Sequence, residues 1–207
     1  MGKTLVSTCV DNVVTLCRGN VYWGKENIGE RANRNDAEEF SEKICQILPQ
    51  IHLIGVVDFC GFLKKHIECL PDILFDTLDA NKAPYVFIST DSVYECTDMA
   101  TVGGEVLESA KISKKFKHRD KYGYNKYRCE KLLSRRATNL IVLRLPDVLG
   151  EFDDTFRFAK MIQQANAPEM DPTPLAFVYS GDVVAFILHI INCPFSMTLN
   201  LSMDEQL

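Results

Sequence analysis

Apolar residues in this chain fall into short runs whose spacing alternates between strand-like and helix-like. Val13-Val14-Thr15-Leu16-Cys17 is β-branched and bounded by Asp11-Asn12 and Arg18-Gly19-Asn20, which predicts a buried strand over 13–17. A polar, glycine-containing stretch follows, with a weak strand near Arg31. Ala37, Phe40, Ile44, Ile47 and Leu48 recur at helical spacing behind Asp36 as N-cap, with Glu38 and Glu39 in the first turn, and predict a helix over 37–48. Residues 52–58 read as a strand and Phe59-Cys60-Gly61-Phe62 as its turn. A helix over 63–78 must kink or divide at Pro71.

Tyr85-Val86-Phe87-Ile88-Ser89 is the next strand, introduced by Pro84. Residues 98–120 form a long polar connection with Gly103-Gly104, longer than most loops in compact domains. A helix is expected over 121–136, a strand over 140–144 ended by Pro146, and a loop from Gly150. A helix over 155–165, a short strand over 175–179 and an apolar helix opened by Ser180-Gly181-Asp182 complete the pattern. Strands alternating with helices predict an α/β fold with a mostly parallel sheet. Ligands in such sheets bind beyond the carboxyl ends of strands. That rule singles out Arg18-Gly19, Phe59-Cys60-Gly61, Ser89-Thr90-Asp91 and Arg144-Leu145-Pro146.

The candidate chemistry lies in Lys121-Tyr122-Gly123-Tyr124-Asn125-Lys126. Tyr122 and Lys126 are four residues apart at the head of a helix and share a face. A free phenol titrates near 10 and is a poor base at neutral pH, whereas a fixed ammonium beside it favours the phenolate. The pair is thus a way to build a proton-transfer group, with Lys126 expected to lower the pKa of Tyr122. Tyr127 and Lys131 repeat the spacing. Tyr122 is preferred because it opens the helix and precedes a glycine.

Composition narrows the class. The hydrophobic fraction is 46% and the charged fraction 25%, ordinary for a soluble globular domain. No apolar run approaches the roughly 20 residues that span a bilayer, and no signal peptide opens the chain, so a cytoplasmic protein without membrane contact is expected. Eight cysteines, at 9, 17, 45, 60, 69, 96, 129 and 193, form no C-x-x-C pair and read as reduced, mostly buried thiols. The four histidines show no metal-ligand spacing. Residues 111–136 hold eleven of the 23 Lys and Arg against Asp120 and Glu130 alone, in a chain of net charge −5. That stripe suits phosphate, in a cofactor, a nucleotide-linked substrate or RNA.

Taken in order, the strand-end segments resemble the NAD(P)-dependent epimerase/dehydratase family of the extended short-chain dehydrogenase/reductase superfamily. Ser89-Thr90-Asp91-Ser92-Val93-Tyr94 is similar to its hydroxyl-bearing catalytic segment, and Tyr122 to Lys126 resembles its Tyr-x-x-x-Lys motif. Leu143-Arg144-Leu145-Pro146 with Gly150 is similar to its next strand and substrate-side loop. Phe177 to Val183 resembles the segment before its late helix, and Asn200-Leu201-Ser202 the short strand after it. The resemblance implies a Rossmann-like doubly wound sheet, with a dinucleotide-binding region over 1–150 and a partial substrate-side region over 151–207. It implies Tyr122 as general acid/base, Lys126 on the ribose and Thr90 on the reacting oxygen. It further implies Asp91, Ser92 and Arg144 toward the substrate, and Phe59, Cys60, Gly61 and Lys126 toward NAD or NADP. The substrate would be a nucleotide-linked sugar or similar polyol. Arg18 would meet a 2′-phosphate and favour NADP.

One family feature is not found. The family opens with a strand and a Gly-x-x-Gly-x-x-Gly turn that cradles pyrophosphate at a helix N-terminus. No such run exists in this sequence, and alignment on residues 13–19 puts the last family glycine at Gly2. The expectation is a form truncated at both ends, lacking the first strand and the glycine-rich loop, with weakened cofactor binding. A non-catalytic binding protein, taking RNA along 111–136 where Phe116, Tyr122, Tyr124 and Tyr127 interleave with the cations, is the alternative. A homodimer is compatible with either.

Overall fold

The computed structural model describes residues 13–17, 29–98, 106–151, 155–165, 176–192 and 195–203. Its elements follow the α/β alternation. β1 (Thr15–Cys17) and β2 (Gly29–Arg31) precede helix α1 (Ala37–Ile47), then β3 (Val56–Asp58), α2 (Lys64–Glu68) and α3 (Asp72–Asn81). β4 (Tyr85–Thr90) leads into a 3-10 turn over Asp91–Cys96. A second 3-10 turn, Lys114–Phe116, leads to α4 (Lys121–Leu133). β5 (Leu140–Leu145), β6 (Asp147–Leu149), α5 (Arg157–Ala165), β7 (Phe177–Tyr179), α6 (Ser180–Ile190) and β8 (Met197–Asn200) complete the chain.

All ladders among the described residues are parallel. A four-stranded sheet runs β3-β4-β5-β8, while β1-β2 and β6-β7 form separate pairs. β8, from beyond residue 150, thus joins the sheet built by the strands before it. Two-residue periodicity sorts the central strands onto two cores. Tyr85, Phe87, Leu140 and Val142 face a core closed by α1, α3 and α4 through Phe40, Ile44, Leu74, Leu78, Cys129 and Leu133. Val86, Ile141 and Leu143 face the other, closed by Val183, Ile187 and Ile190 of α6. This is the doubly wound arrangement, and it explains why β4 and β5 are apolar at nearly every position.

Differences from the periodicity have local causes. The strand expected over 52–58 begins only at Val56, because the Leu53 carbonyl is taken by the Asn81 side chain at 2.9 Å. The helix expected over 63–78 is two helices: Pro71 lacks an N–H and sits extended as the N-cap of α3. After Pro146, which ends β5 as expected, the chain resumes as β6, paired with β7, an additional strand that the periodicity did not predict. Of the described cysteines, Cys69, Cys96 and Cys129 are buried as expected, whereas Cys17 is half-buried and Cys45 and Cys60 are exposed.

Candidate active site

The carboxyl ends of β3, β4 and β5 converge with the head of α4. Asp120 caps α4 by accepting the Gly123 N–H at 2.8 Å, which fixes the first turn and the position of Tyr122. Gly123 lies so close to the turn after β4 that a Cβ there would fall 2.1 Å from the Ser92 carbonyl oxygen. Only glycine allows this approach, and it brings Tyr122 beside the Thr90-Asp91-Ser92 segment. The two segments are therefore joined by a backbone contact.

Thr90 ends β4 and is nearly buried. Its Oγ1 accepts the Ser92 N–H at 3.2 Å and donates to Asp91 Oδ1 at 3.3 Å. Burial pushes the Asp91 carboxyl above its ordinary value, against the Thr90 and Ser92 hydrogen bonds, with Asp147 and Glu95 adding to the rise. Tyr122 is 46% exposed at the mouth of the site, its ring 6.3 Å from that of Phe62.

Lys126 is only 1% exposed. Its Nζ donates to the Ile88 carbonyl at 2.5 Å and the Gly61 carbonyl at 3.2 Å, and lies over the rings of Phe87 and Phe62. Burial lowers its pKa from 10.5 to about 8. The expected effect on Tyr122 is not found. Burial pushes the Tyr122 phenol up, Arg157 pulls it down, and Asp120 and Asp91 push it up again. The ammonium of Lys126 is committed to the Ile88 and Gly61 carbonyls, and burial decides the direction for Tyr122.

Of the turn after β3, Gly61 is buried and Cys60 exposed, while Phe59 packs against the α6-side core. A Cβ at Gly61 would fall 2.6 Å from the Phe87 ring, so the turn is pressed onto β4. Asp58 holds it from below, accepting the Cys60 N–H at 2.9 Å and the Tyr85 hydroxyl at 2.7 Å. Arg34 donates to both Asp58 oxygens, at 2.5 and 2.7 Å. Burial alone would raise the Asp58 carboxyl; the guanidinium overrides it and holds the group below its ordinary value. Sequence reading missed this pair, which is separated by 24 positions and carries no motif.

Arg144 differs from its expected substrate-facing role. It is 5% exposed and donates to both oxygens of Glu130, at 3.2 and 2.7 Å, to the Tyr94 hydroxyl at 2.9 Å and to the Glu108 carbonyl at 3.1 Å. Glu130 also accepts the Ser89 hydroxyl at 2.5 Å. The cluster ties α4 to β4 and β5, so Arg144 serves the site's framework. Gly2 and Arg18 lie outside the described residues, as do Cys9 and Cys193. Among the described residues no cluster of metal-ligating side chains occurs, and no helix is long and apolar enough to cross a membrane.

Contacts also sort the basic segment. Lys126 is buried, Arg136 donates to the Ile67 and Leu70 carbonyls, and Phe116 is buried beneath Arg119 and Lys115. Phe116 is thereby removed as a stacking platform.

A strand-end hydroxyl, a Tyr-x-x-x-Lys turn and a parallel doubly wound sheet occur together here. A sequence model of the NAD dependent epimerase/dehydratase family matches residues 64–200, which span β4, α4, β5 and β8. The chain belongs to the NAD dependent epimerase/dehydratase family. Solved structures agree at the level of fold. The enzyme WbmH of Bordetella bronchiseptica, in complex with NAD+, superposes with a TM-score of 0.68 at 11% identity, over 94% of this chain and 68% of that one. The UDP-N-acetylglucosamine 4-epimerase of Bacillus cereus gives 0.58 at 16% identity, over 94% and 70%. The dTDP-glucose 4,6-dehydratase of Bacillus anthracis, in complex with NAD, gives 0.62 at 12% identity, over 86% and 59%. Comparison with curated protein sequences found no match.

Proposed function

We propose that this family member transfers a hydride between a hydroxyl-bearing carbon of a nucleotide-linked sugar and NAD(P), while Tyr122 takes or returns the hydroxyl proton. The observation that carries the reading is the seating of Tyr122 against the Thr90–Ser92 segment through Gly123, with Lys126 one turn further along α4. The WbmH and dehydratase structures were solved with NAD, and two neighbours are named for nucleotide-linked sugars, which supports the choice of ligands.

The residues present fit the nicotinamide end of the cofactor. The turn after β3 and Lys126 meet at the carboxyl edge of the sheet, and Lys126 keeps one N–H beyond those given to the Gly61 and Ile88 carbonyls. When bound, the cofactor supplies the hydride acceptor or donor. Tyr122 takes or returns the hydroxyl proton of the substrate, and Thr90 hydrogen-bonds the same oxygen. Lys126 orients the ribose, while Asp91 and Ser92 border the substrate.

The test compares Tyr122→Phe with Tyr127→Phe for nicotinamide oxidation or reduction on a panel of nucleotide sugars. Loss confined to Tyr122→Phe supports the assignment. Equal losses would assign the chemistry to neither tyrosine.

A further inference from the structure

Lys126 lies at the carboxyl edge of the sheet, where ligands of such folds bind, and yet its amine is shut from solvent. Four contacts close it. The Ile88 and Gly61 carbonyls take two of its three N–H groups. The Phe87 ring, 4.2 Å from Nζ, and the Phe62 ring, 5.3 Å away, cover the rest. These covers differ in kind. Phe87 is fully buried within β4, and the Gly61 backbone is pressed against its ring, so neither can move without opening the sheet. Phe62 is 42% exposed, with one side of its ring in solvent.

We propose that the Phe62 side chain is a gate over the Lys126–Tyr122 pair, closed in this structure, whose rotation exposes the Lys126 amine and one face of the Tyr122 ring together. The inference rests on the reading of these two residues as the reacting pair. Phe62 is suited to this because its main chain is fixed while its side chain is not. Its N–H donates to the Cys60 carbonyl at 3.0 Å and to His66 Nδ1 at 3.3 Å. Its ring lies 6.3 Å from that of Tyr122 and 6.5 Å from that of His66. One side-chain rotation therefore uncovers both groups without moving the Gly61 carbonyl that anchors Lys126. The ligand portion admitted is a polar, hydroxyl-bearing one, such as a ribose, that can accept from the remaining N–H of Lys126. The closed gate holds the amine among rings and carbonyls, in keeping with the burial that lowers its pKa.

The test is acetylation of the whole protein by acetic anhydride near neutral pH, read residue by residue by peptide mass spectrometry. Lys121 and Lys131 of α4 are exposed and serve as internal references. Phe62→Ala is expected to raise the Lys126 rate about tenfold by increasing the open population, with Lys121 and Lys131 unchanged. Leu63→Ala, at a neighbouring exposed apolar position, is expected to change none of the three. A wild-type Lys126 rate in Phe62→Ala overturns the gate, as does an equal rise at the reference lysines or in Leu63→Ala. If Phe62→Ala does not fold by circular dichroism, Phe62→Val, which removes the ring and keeps an apolar stub, is read the same way. Failure of the protein to bind NAD(P) would count against the proposed function and leave the labelling result standing.

Discussion

Gly123 and Ser92 approach so closely that a methyl group on the former would overlap the carbonyl oxygen of the latter, at 2.1 Å. This contact sets the distance between the helix that carries Tyr122 and the strand end that carries Thr90. At an ordinary exposed helix site, replacing glycine by alanine stabilises by about 0.5–1 kcal/mol. Gly123→Ala is expected to do the reverse, costing about 1–3 kcal/mol through overpacking. Urea denaturation would show the fall in midpoint.

The buried pair of Arg144 and Glu130 gives a second expectation. Truncating one partner leaves a buried charge without its counterion, so Glu130→Ala is expected to cost about 3–5 kcal/mol. Glu130→Ala combined with Arg144→Met removes both charges and is expected to recover much of that loss. A double-mutant cycle measures the difference, and additive losses would mean that the pair does not hold α4 to β5.

His66 gives a pH dependence with a definite sign. Burial lowers its pKa below the ordinary 6.5, with Arg34 and Lys65 adding to the effect and Asp58 opposing it. Its Nδ1 accepts the Phe62 N–H, and its Nε2 lies 3.3 Å from Asn35 Oδ1, so the neutral ring fits its partners. Below pH 6.5 the unfolded chain takes up a proton that the folded ring resists. Stability from this group is thus full above that pH and falls as the pH drops through it. The urea midpoint of the wild type should decline on acidification more steeply than that of His66→Gln.

Lys126 exchanges stability for chemistry. Its pKa of about 8 means that folding pays to keep the ammonium charged at neutral pH. Lys126→Met fills similar space between Phe87 and Phe62 and is expected to melt no lower than the wild type, despite the two carbonyls it leaves unserved. A large fall in Tm would mark Lys126 as a structural residue instead.

Much of this architecture is legible in periodicity. β4, β5, α1 and α4 lie where apolar spacing predicts, because each packs a continuous face onto one of two cores. Boundaries shift where side chains intercept the backbone, as Asn81 does at Leu53, or where Pro71 divides a helix. Among the candidate site residues, Tyr122 and Lys126 stand out by their local spacing and Thr90 by its place at a strand end. Asp58, Arg34 and Glu130 were not, since buried ion pairs join residues far apart in the chain and leave no periodic trace. Phe62 carried no signal beyond its place in a turn. The role of Gly123 is partly readable, as a glycine following the tyrosine, but its cause lies in the Ser92 backbone.

The central claim is that the turn of α4 bearing Tyr122 and Lys126 is where the dinucleotide's nicotinamide end is held. Calorimetric titration of the wild type and of Lys126→Met with NAD+ and NADP+ tests it most directly. The account predicts binding of at least one dinucleotide to the wild type and its loss in Lys126→Met, with the fold intact. Equal affinity in the two proteins would contradict it.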